Sequence, residues 1–303
     1  MTVELRPPRP GDAAELAAVV DEFGRVLDGD RMSLESAETW LATPSLDLEH
    51  DARIAIVDGR VAGFGDVFDS SHQGEVMWTF LAGDPAAREM WPPLLEFVEA
   101  RAAELAAPGG RLKIALPEKA DELHRLLESR GWAFDRFSFR MLTPLDGDLP
   151  EPEWPEGISV RPFSEEDARA VHALQEETFS EHDDHMPISF EDWRHWWRSD
   201  HFEPELWTMA LADGELQGIA LCRGRWDDDP AFGWVSILGV RRSWRGRGLG
   251  LALLRHSFRQ LQARGMERAG LGVDSANASG VRLYERAGMH VARRKLAFKK
   301  VLG

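Results

Sequence analysis

The chain has one cysteine, Cys222, and one tyrosine, Tyr284, in 303 residues. A single thiol excludes an internal disulfide framework and a four-thiolate zinc site. Lysine is scarce, with five against 31 arginines. No run of about 18 apolar residues occurs, so no membrane-spanning helix is expected. The polar, proline-containing stretch Met1 to Asp12 lacks the basic flank and apolar core of a signal peptide. A cytoplasmic setting is therefore expected. What is present suits a globular fold, with 43% apolar and 29% charged residues. At roughly 150 residues per domain, the length suggests two domains.

The net charge of −16 argues against nucleic acid or an anionic membrane as partner. The charge is unevenly placed. Residues 1–150 and 151–240 carry net −13 and −15, whereas 241–303 carry net +12. A basic last fifth either attracts an anion or docks on acidic parts of the same chain.

Thr143 to Gly157 holds four prolines among acids and glycines and reads as a linker. The expected organisation is a first domain over 1–142, a linker over 143–157 and a second domain over 158–303. The two halves resemble each other. Leu5-Arg6-Pro7 recurs as Val160-Arg161-Pro162, and Gly59 to Gly63 as Gly214 to Gly218, 155 residues later in both cases. Leu123 to Met141 recurs as Val281 to Lys299 at a similar offset. Three matches in one order indicate a tandem duplication. In the second half the pattern reads strand, acidic-started helix, short tryptophan-rich helix, then strands around Asp213-Gly214, a hairpin signal. An apolar strand, Phe232 to Val240, follows. A helix with a Leu251, Leu254, Phe258, Leu261 stripe comes next, then a strand, a helix to about Ala287 and a final one or two strands. This is an α+β fold with a mixed sheet.

The strongest local signal is Arg245-Gly246-Arg247-Gly248-Leu249-Gly250, between that apolar strand and the striped helix. Its glycines let backbone approach a ligand and leave N–H groups at a helix N-terminus, which suits a pyrophosphate. A Walker loop needs Gly-Lys-Ser/Thr, which is absent. A dinucleotide fingerprint needs a small residue where Leu251 or Leu253 stands, after the first strand of a βαβ unit rather than a hairpin.

Val240 with Arg245-x-x-Gly248-x-Gly250 resembles the acyl-CoA signature of the GNAT acetyltransferase superfamily. Asn277-x-x-Gly280-x-x-Leu283-Tyr284-Glu285-x-x-Gly288-Met289 resembles that family's second motif. The resemblance covers most of 158–302. It implies two tandem GNAT-like domains, each a twisted mixed sheet flanked by helices, and transfer of an acetyl group from acetyl-CoA to a small-molecule amine. It further implies that backbone groups of Leu238 and Val240 pair with the pantetheine arm. N–H groups from Arg245 to Gly250, including Gly246, Arg247, Gly248 and Leu249, would hold the pyrophosphate. Asn277 would contact the arm, and Tyr284 would protonate the departing thiolate. The chain's only tyrosine thus falls on the general-acid position. In the first half the matching segment, Arg88 to Pro93, contains no glycine, and Leu127 stands where Tyr284 does. That copy is expected to keep the fold without the CoA loop. The layout resembles that of the mycothiol synthase family, which implies, as an alternative, acetylation of a cysteinyl amine on a pseudodisaccharide. A non-catalytic acyl-CoA-binding module is a third reading.

The family's acid on the strand before the loop is missing from Phe232 to Leu238. Base candidates lie in Ser180 to His185 and Asp227 to Asp229, although both stretches also read as solvated loop charge. His182, Asp183 and His185 lack a third histidine at helical spacing, so no metal is expected. Six of the twelve tryptophans fall between 190 and 235. Their faces, near acids, suit a cationic or aromatic amine, or pack against the first domain. Cys222, in an apolar strand, reads as buried and inert. The acceptor's identity and the oligomeric state stay open.

Overall fold

The computed structural model describes residues 3–182, 184–198, 202–226 and 229–303. In chain order it runs β1 (Val3–Arg6), α1 (Ala13–Leu27), α2 (Leu34–Leu41), α3 (Leu48–Asp51), β2 (Ala52–Val57), β3 (Arg60–Asp66), β4 (Val76–Trp78), β5 (Leu81–Gly83), α4 (Trp91–Leu105), β6 (Arg111–Pro117), α5 (Asp121–Ser129) and β7 (Ala133–Pro144). It continues with β8 (Ser159–Pro162), α6 (Ala168–Phe179), α7 (Phe190–Trp197), β9 (Trp207–Ala212), β10 (Glu215–Arg223), β11 (Phe232–Val240), α8 (Leu249–Ala263), β12 (Arg268–Asp274), α9 (Ala278–Arg286) and β13 (His290–Val301). The tail is one strand rather than two. No described helix is long and apolar enough to cross a membrane.

The repeated sequence fragments correspond to repeated physical devices. Arg6 donates two guanidinium bonds to Asp12 (2.7 and 2.8 Å), and Asp12 also accepts the Arg9 N–H. Arg161 does the same to Asp167 (2.8 and 2.7 Å), which accepts the Ser164 N–H. Each carboxylate thus caps a helix start and anchors the preceding strand, and each is held below its ordinary pKa by its arginine. Both hairpins turn on Asp-Gly with positive φ, 49° and 77° at Asp58-Gly59 and 51° and 79° at Asp213-Gly214. That is the primed turn whose twist matches the flanking strands. The helices α5 and α9 each stop before a left-handed glycine, Gly131 (φ 84°) and Gly288 (φ 91°).

Packing divides the chain into two units that differ from two consecutive stretches. One takes Met1–Ser138, Met186–Ser199 and Arg294–Gly303; the other takes Phe139–His185 and Asp200–Arg293. A boundary drawn at polar, proline-rich sequence marks where the chain is loop, not which core later segments join.

In the first unit, β1–β2–β3–β5 form one sheet, and β6 pairs in parallel with β4 and antiparallel with the end of β13. Leu16, Leu41 and Phe64 fill one side of the first sheet, and Leu94 and Val98 of α4 fill the other. The helix α7 docks here. Asp192 accepts the Ser45 N–H (3.1 Å), His195 bonds the Thr39 carbonyl (2.8 Å), and Trp196 donates to Thr43 (3.0 Å). Lys113, 1% exposed, and Lys299 face each other across β6 and β13, with Asp135 bridging them. Burial opposes the charge on Asp135, but Lys299, Lys113 and Arg136 outweigh it and hold the carboxyl well below its usual range.

In the second unit the order is β7–β12–β11–β10–β9–β8, with β11–β12 parallel and β8 to β11 antiparallel. Leu253 and Leu261 of α8 press on glycines of one face, and Thr178 of α6 presses on Gly239 of the other. The proline-rich stretch after β7 forms no helix or strand, but it is strapped along α8. Leu145 is buried, Gln262 donates to the carbonyls of Leu145 and Gly147 (both 2.9 Å), and Arg255 and Arg259 pair with Glu153 and Glu151.

Candidate active site

The site begins where two parallel strands part. The β11–β12 ladder joins Phe232–Trp234 to Arg268–Gly270 and stops, although β11 runs on to Val240 and β12 to Asp274. Beyond Trp234, β11 bonds only β10 along one edge. The other edge carries backbone groups able to meet an extended amide chain. Leu238 and Val240 lie on this stretch, both partly buried. The Val240 carbonyl also accepts Arg245 Nε at 2.9 Å.

The register on β10 slips at the same place. Leu221 faces Ile237 and Cys222 faces Val235, so Ser236 is an extra residue, a β-bulge. Its hydroxyl oxygen is buried and has no hydrogen-bond partner among the described residues. Neither glycine nor proline marks this bulge, which is why nothing in the sequence pointed to it.

A short turn, Arg242–Trp244, leads from β11 into the glycine loop. Gly246 (φ 74°) and Gly248 (φ 90°) are left-handed, and a Cβ on either would meet nothing within 4 Å. These two are therefore glycine for conformation, and the space beside them is open. Gly250 is glycine for contact, since its Cβ would stand 3.2 Å from Leu283 of α9. No side chain caps α8. Its first-turn N–H groups consequently face outward at the positive end of the helix dipole. That cradle fits a diphosphate.

Tyr284 is 9% exposed and joins the core between α8 and β12. Burial pushes its phenol up to about 12, so the proton stays in place at any physiological pH. Asn277 is the N-cap of α9: its Oδ1 accepts the Gly280 N–H (2.9 Å) and the Ser279 hydroxyl (3.0 Å). Only its amide nitrogen is left to face a ligand. The glycine loop, the unpaired β11 edge, Asn277 and Tyr284 thus all belong to one unit.

The base candidates fare differently. Glu181 pairs with Arg245 at 2.6 Å, which holds its carboxyl below the usual range. His185 bonds Glu176 at 3.0 Å, His182 packs on Phe179, and Asp229 pairs with Arg268. Asp183, Asp227 and Asp228 lie outside the described residues. Among the described residues no group of three or more His, Cys, Asp or Glu is placed to hold a metal. On β11 itself, Trp234 stacks on Trp226 (4.6 Å, 9°), and Arg140 lies 5.2 Å over the Trp234 ring.

The six tryptophans do not form one surface. Trp193, Trp196 and Trp197 belong to α7 in the first unit, Trp207 is buried against Phe163 and Phe202, and Trp226 and Trp234 stack. Cys222 is fully buried, and its thiol is pushed up to about 12. The basic block is largely neutralised within its own units. Among the described residues at least ten of its cations have carboxylate partners, among them Arg241 with Glu177, Arg264 with Glu203, Arg294 with Glu118 and Lys300 with Glu99.

Comparison with known proteins bears on this geometry. A family model described as "Acetyltransferase (GNAT) family" matches residues 168–289. The mycothiol acetyltransferase of Streptomyces coelicolor is 34% identical over 188 residues, 61% of this chain and 60% of that protein. The chain spans 60%, 57% and 64% of the lengths of three such mycothiol acetyltransferases. The crystal structure of a GCN5-related N-acetyltransferase from Sphaerobacter thermophilus aligns with a TM-score of 0.76 and 30% identity, over 99% of this chain and 95% of that one. A tandem GNAT protein from the clavulanic acid biosynthesis pathway shares the fold, with a TM-score of 0.73 at 16% identity over 100% of this chain and 99% of that one.

Proposed function

We propose that this chain, which belongs to the GNAT (GCN5-related N-acetyltransferase) family, transfers an acetyl group from acetyl-CoA to an amine of a small-molecule acceptor. The observation that carries the reading is the parting of β11 from β12 beside an uncapped, glycine-led helix start. The first copy is read as a fold-keeping domain without the loop, and the setting as cytoplasmic.

In this reading each group has a limited task. The α8 N-terminus and the residues Arg245 to Gly250 hold the diphosphate. The free edge of β11 at Leu238 and Val240, with the Asn277 amide nitrogen, aligns the arm. Bound acetyl-CoA supplies the activated acyl group, and the protein supplies position. Tyr284 donates a hydrogen bond to sulfur as negative charge gathers there. A phenol at about 12 keeps its proton against a thiol near 8.5. Its contribution is therefore stabilisation of charge, and complete proton transfer is uphill.

No carboxylate stands on β11, and Glu181 is committed to Arg245. The acceptor's proton accordingly passes to solvent or to one of the other loop candidates of 180–185 and 227–229. The rate should climb with pH toward the acceptor's own ammonium pKa.

The mycothiol acetyltransferase relatives favour an alternative acceptor, a cysteinyl amine on a pseudodisaccharide. Trp234 at the place of the expected strand acid weighs against it. The test is a panel of amines, cysteinyl sugars and cationic amines included, scored by thiol release from acetyl-CoA with the full chain. Release with at least one amine is expected. Calorimetry showing no acetyl-CoA binding would overturn the reading, and binding without turnover on any amine would assign a non-catalytic module.

A further inference from the structure

Two glycines of β12, Gly270 and Gly272, share the face turned away from α8, since Ala269, Leu271 and Val273 between and beside them join the core with Leu254, Phe258 and Leu261. Gly270 is glycine for contact: its Cβ would lie 2.7 Å from Leu142 and 2.8 Å from the Phe232 ring. Gly272 has no such reason. It is exposed, its φ is not positive, and the nearest atom to its Cβ would be Cζ2 of Trp234 at 3.9 Å, an ordinary contact. A strand glycine that neither backbone nor packing requires costs about 0.5–1 kcal/mol against alanine, and it marks a place where another group comes close.

Gly272 lies just past the last β11–β12 pair, Trp234 with Gly270. Counting on by two in the parallel register sets Ser236 across the parting from it. The Ser236 hydroxyl oxygen, shielded from water and without a partner among the described residues, is a polar group that an incoming nitrogen can use. The Trp234 ring lies beside the same gap. Trp226 stacks on it at 4.6 Å and Arg140 lies 5.2 Å over it, which pins the ring and leaves its Cζ2 edge toward Gly272.

The first copy fills this place. Its last parallel pair is Trp78 with Lys113, so Lys113 and Ala115 stand where Gly270 and Gly272 do. The copy that lacks the glycine loop lacks the open strand glycine too.

We infer that Gly272 is a specificity residue: the space it leaves, walled by the edge of Trp234, receives the substituent next to the acceptor's nitrogen, so that primary amines on a ring or branched carbon are preferred to those on an unbranched chain. This deepens the proposed function and rests on it. In that reaction the nitrogen bonds the acetyl carbon, the carbon–sulfur bond breaks, the nitrogen gives up a proton and CoA leaves as its thiol. The carbon bearing the nitrogen is therefore drawn to the parting of the strands, and whatever branches from it needs room there. A methylene more or less in such a space changes specificity about 10- to 200-fold.

The test is the kcat/KM of the full chain over the amine panel, with cyclohexylamine and n-hexylamine as a six-carbon pair within it. Wild type should favour the ring and branched amines about tenfold or more. Gly272→Val should lower kcat/KM for that class about 10- to 200-fold, mostly through KM, and for unbranched amines by less than about threefold. Gly272→Ala should show a smaller loss of the same kind with an unchanged melting temperature, and it carries the test if the valine variant does not fold. Equal losses in both classes, no loss in either, or a wild-type preference for unbranched amines would overturn the inference. So would a parallel fall in acetyl-CoA affinity by calorimetry, since Gly272 would then serve the co-substrate. If wild type binds no acetyl-CoA or turns over no amine, the proposed function itself fails and takes this inference with it.

Discussion

The two units open a strand pair at corresponding places and then use the opening differently. In the first unit β4 pairs in parallel with β6 over Val76–Trp78, and the next strand, β5, turns away to β3. In the second, β11 leaves β12 after Trp234. The following helix decides the outcome. α4 begins with Pro92 and Pro93, which lack N–H donors, and the buried Met90 fills the space over Gly63 and Gly83. α8 begins with left-handed Gly248 and open space. One opening is sealed by side chains, and the other presents backbone donors. The same backbone plan therefore serves packing or ligand binding according to about six residues at one helix start.

The largest effect expected from this contrast is in the sealed copy. Met90→Ala should cost about 2–5 kcal/mol of stability by leaving a cavity, with CoA affinity unchanged. A urea denaturation midpoint close to that of wild type would show that Met90 is not the seal. Next comes Asp66, 2% exposed at the position that Leu221 holds in the other copy. Burial raises its carboxyl from 3.8 to about 7. The folded protein therefore keeps a proton that the unfolded chain releases, and this contribution is lost as pH rises from about 4 through about 7. Asp66→Asn should remove that decline, so that the variant gains up to about 4 kcal/mol relative to wild type between pH 4 and pH 8. Parallel stability curves for the two proteins would contradict it.

Tyr284→Phe should lower turnover about 10–100-fold, or about 1.4–2.8 kcal/mol of barrier, while acetyl-CoA affinity stays nearly constant. Full activity in this variant would make Tyr284 as structural as Leu127. The smallest effect is Gly248→Ala. With no atom within 4 Å of the new Cβ, only left-handed strain remains, about 1 kcal/mol. CoA affinity should fall by more than stability does. If both fell alike, the open space beside the loop would not be where a ligand approaches.

Much of this was legible in residues. Asp58-Gly59 and Asp213-Gly214 announced hairpins because φ > 0 at both central positions suits few other pairs. The glycine loop and the helix stop at Gly288 were legible for the same reason. That Asn277 also caps α9 through its oxygen, leaving only its amide nitrogen to face a ligand, shows only in the structure. The bulge at Ser236 depends on register between strands and leaves no mark in composition. The tryptophan pattern foretold a helix at α7 but could not say that its partners are Thr39, Thr43 and Ser45. Charge counting found the basic block, but only geometry shows which carboxylates its cations meet.

The composition of the first unit has a consequence for synthesis. Its strands β1 to β6 are made well before α7, and the pairing of β13 with β6 must wait longer still, until Lys299 and Lys300 have been made. Until then β6 keeps a bare edge, Asp135 has Lys113 and Arg136 but not Lys299, and Glu99 has Arg130 but not Lys300. Residues of the second unit are complete before then, so a unit begun earlier in the chain is completed after it. For that interval it is the segment most in need of a chaperone.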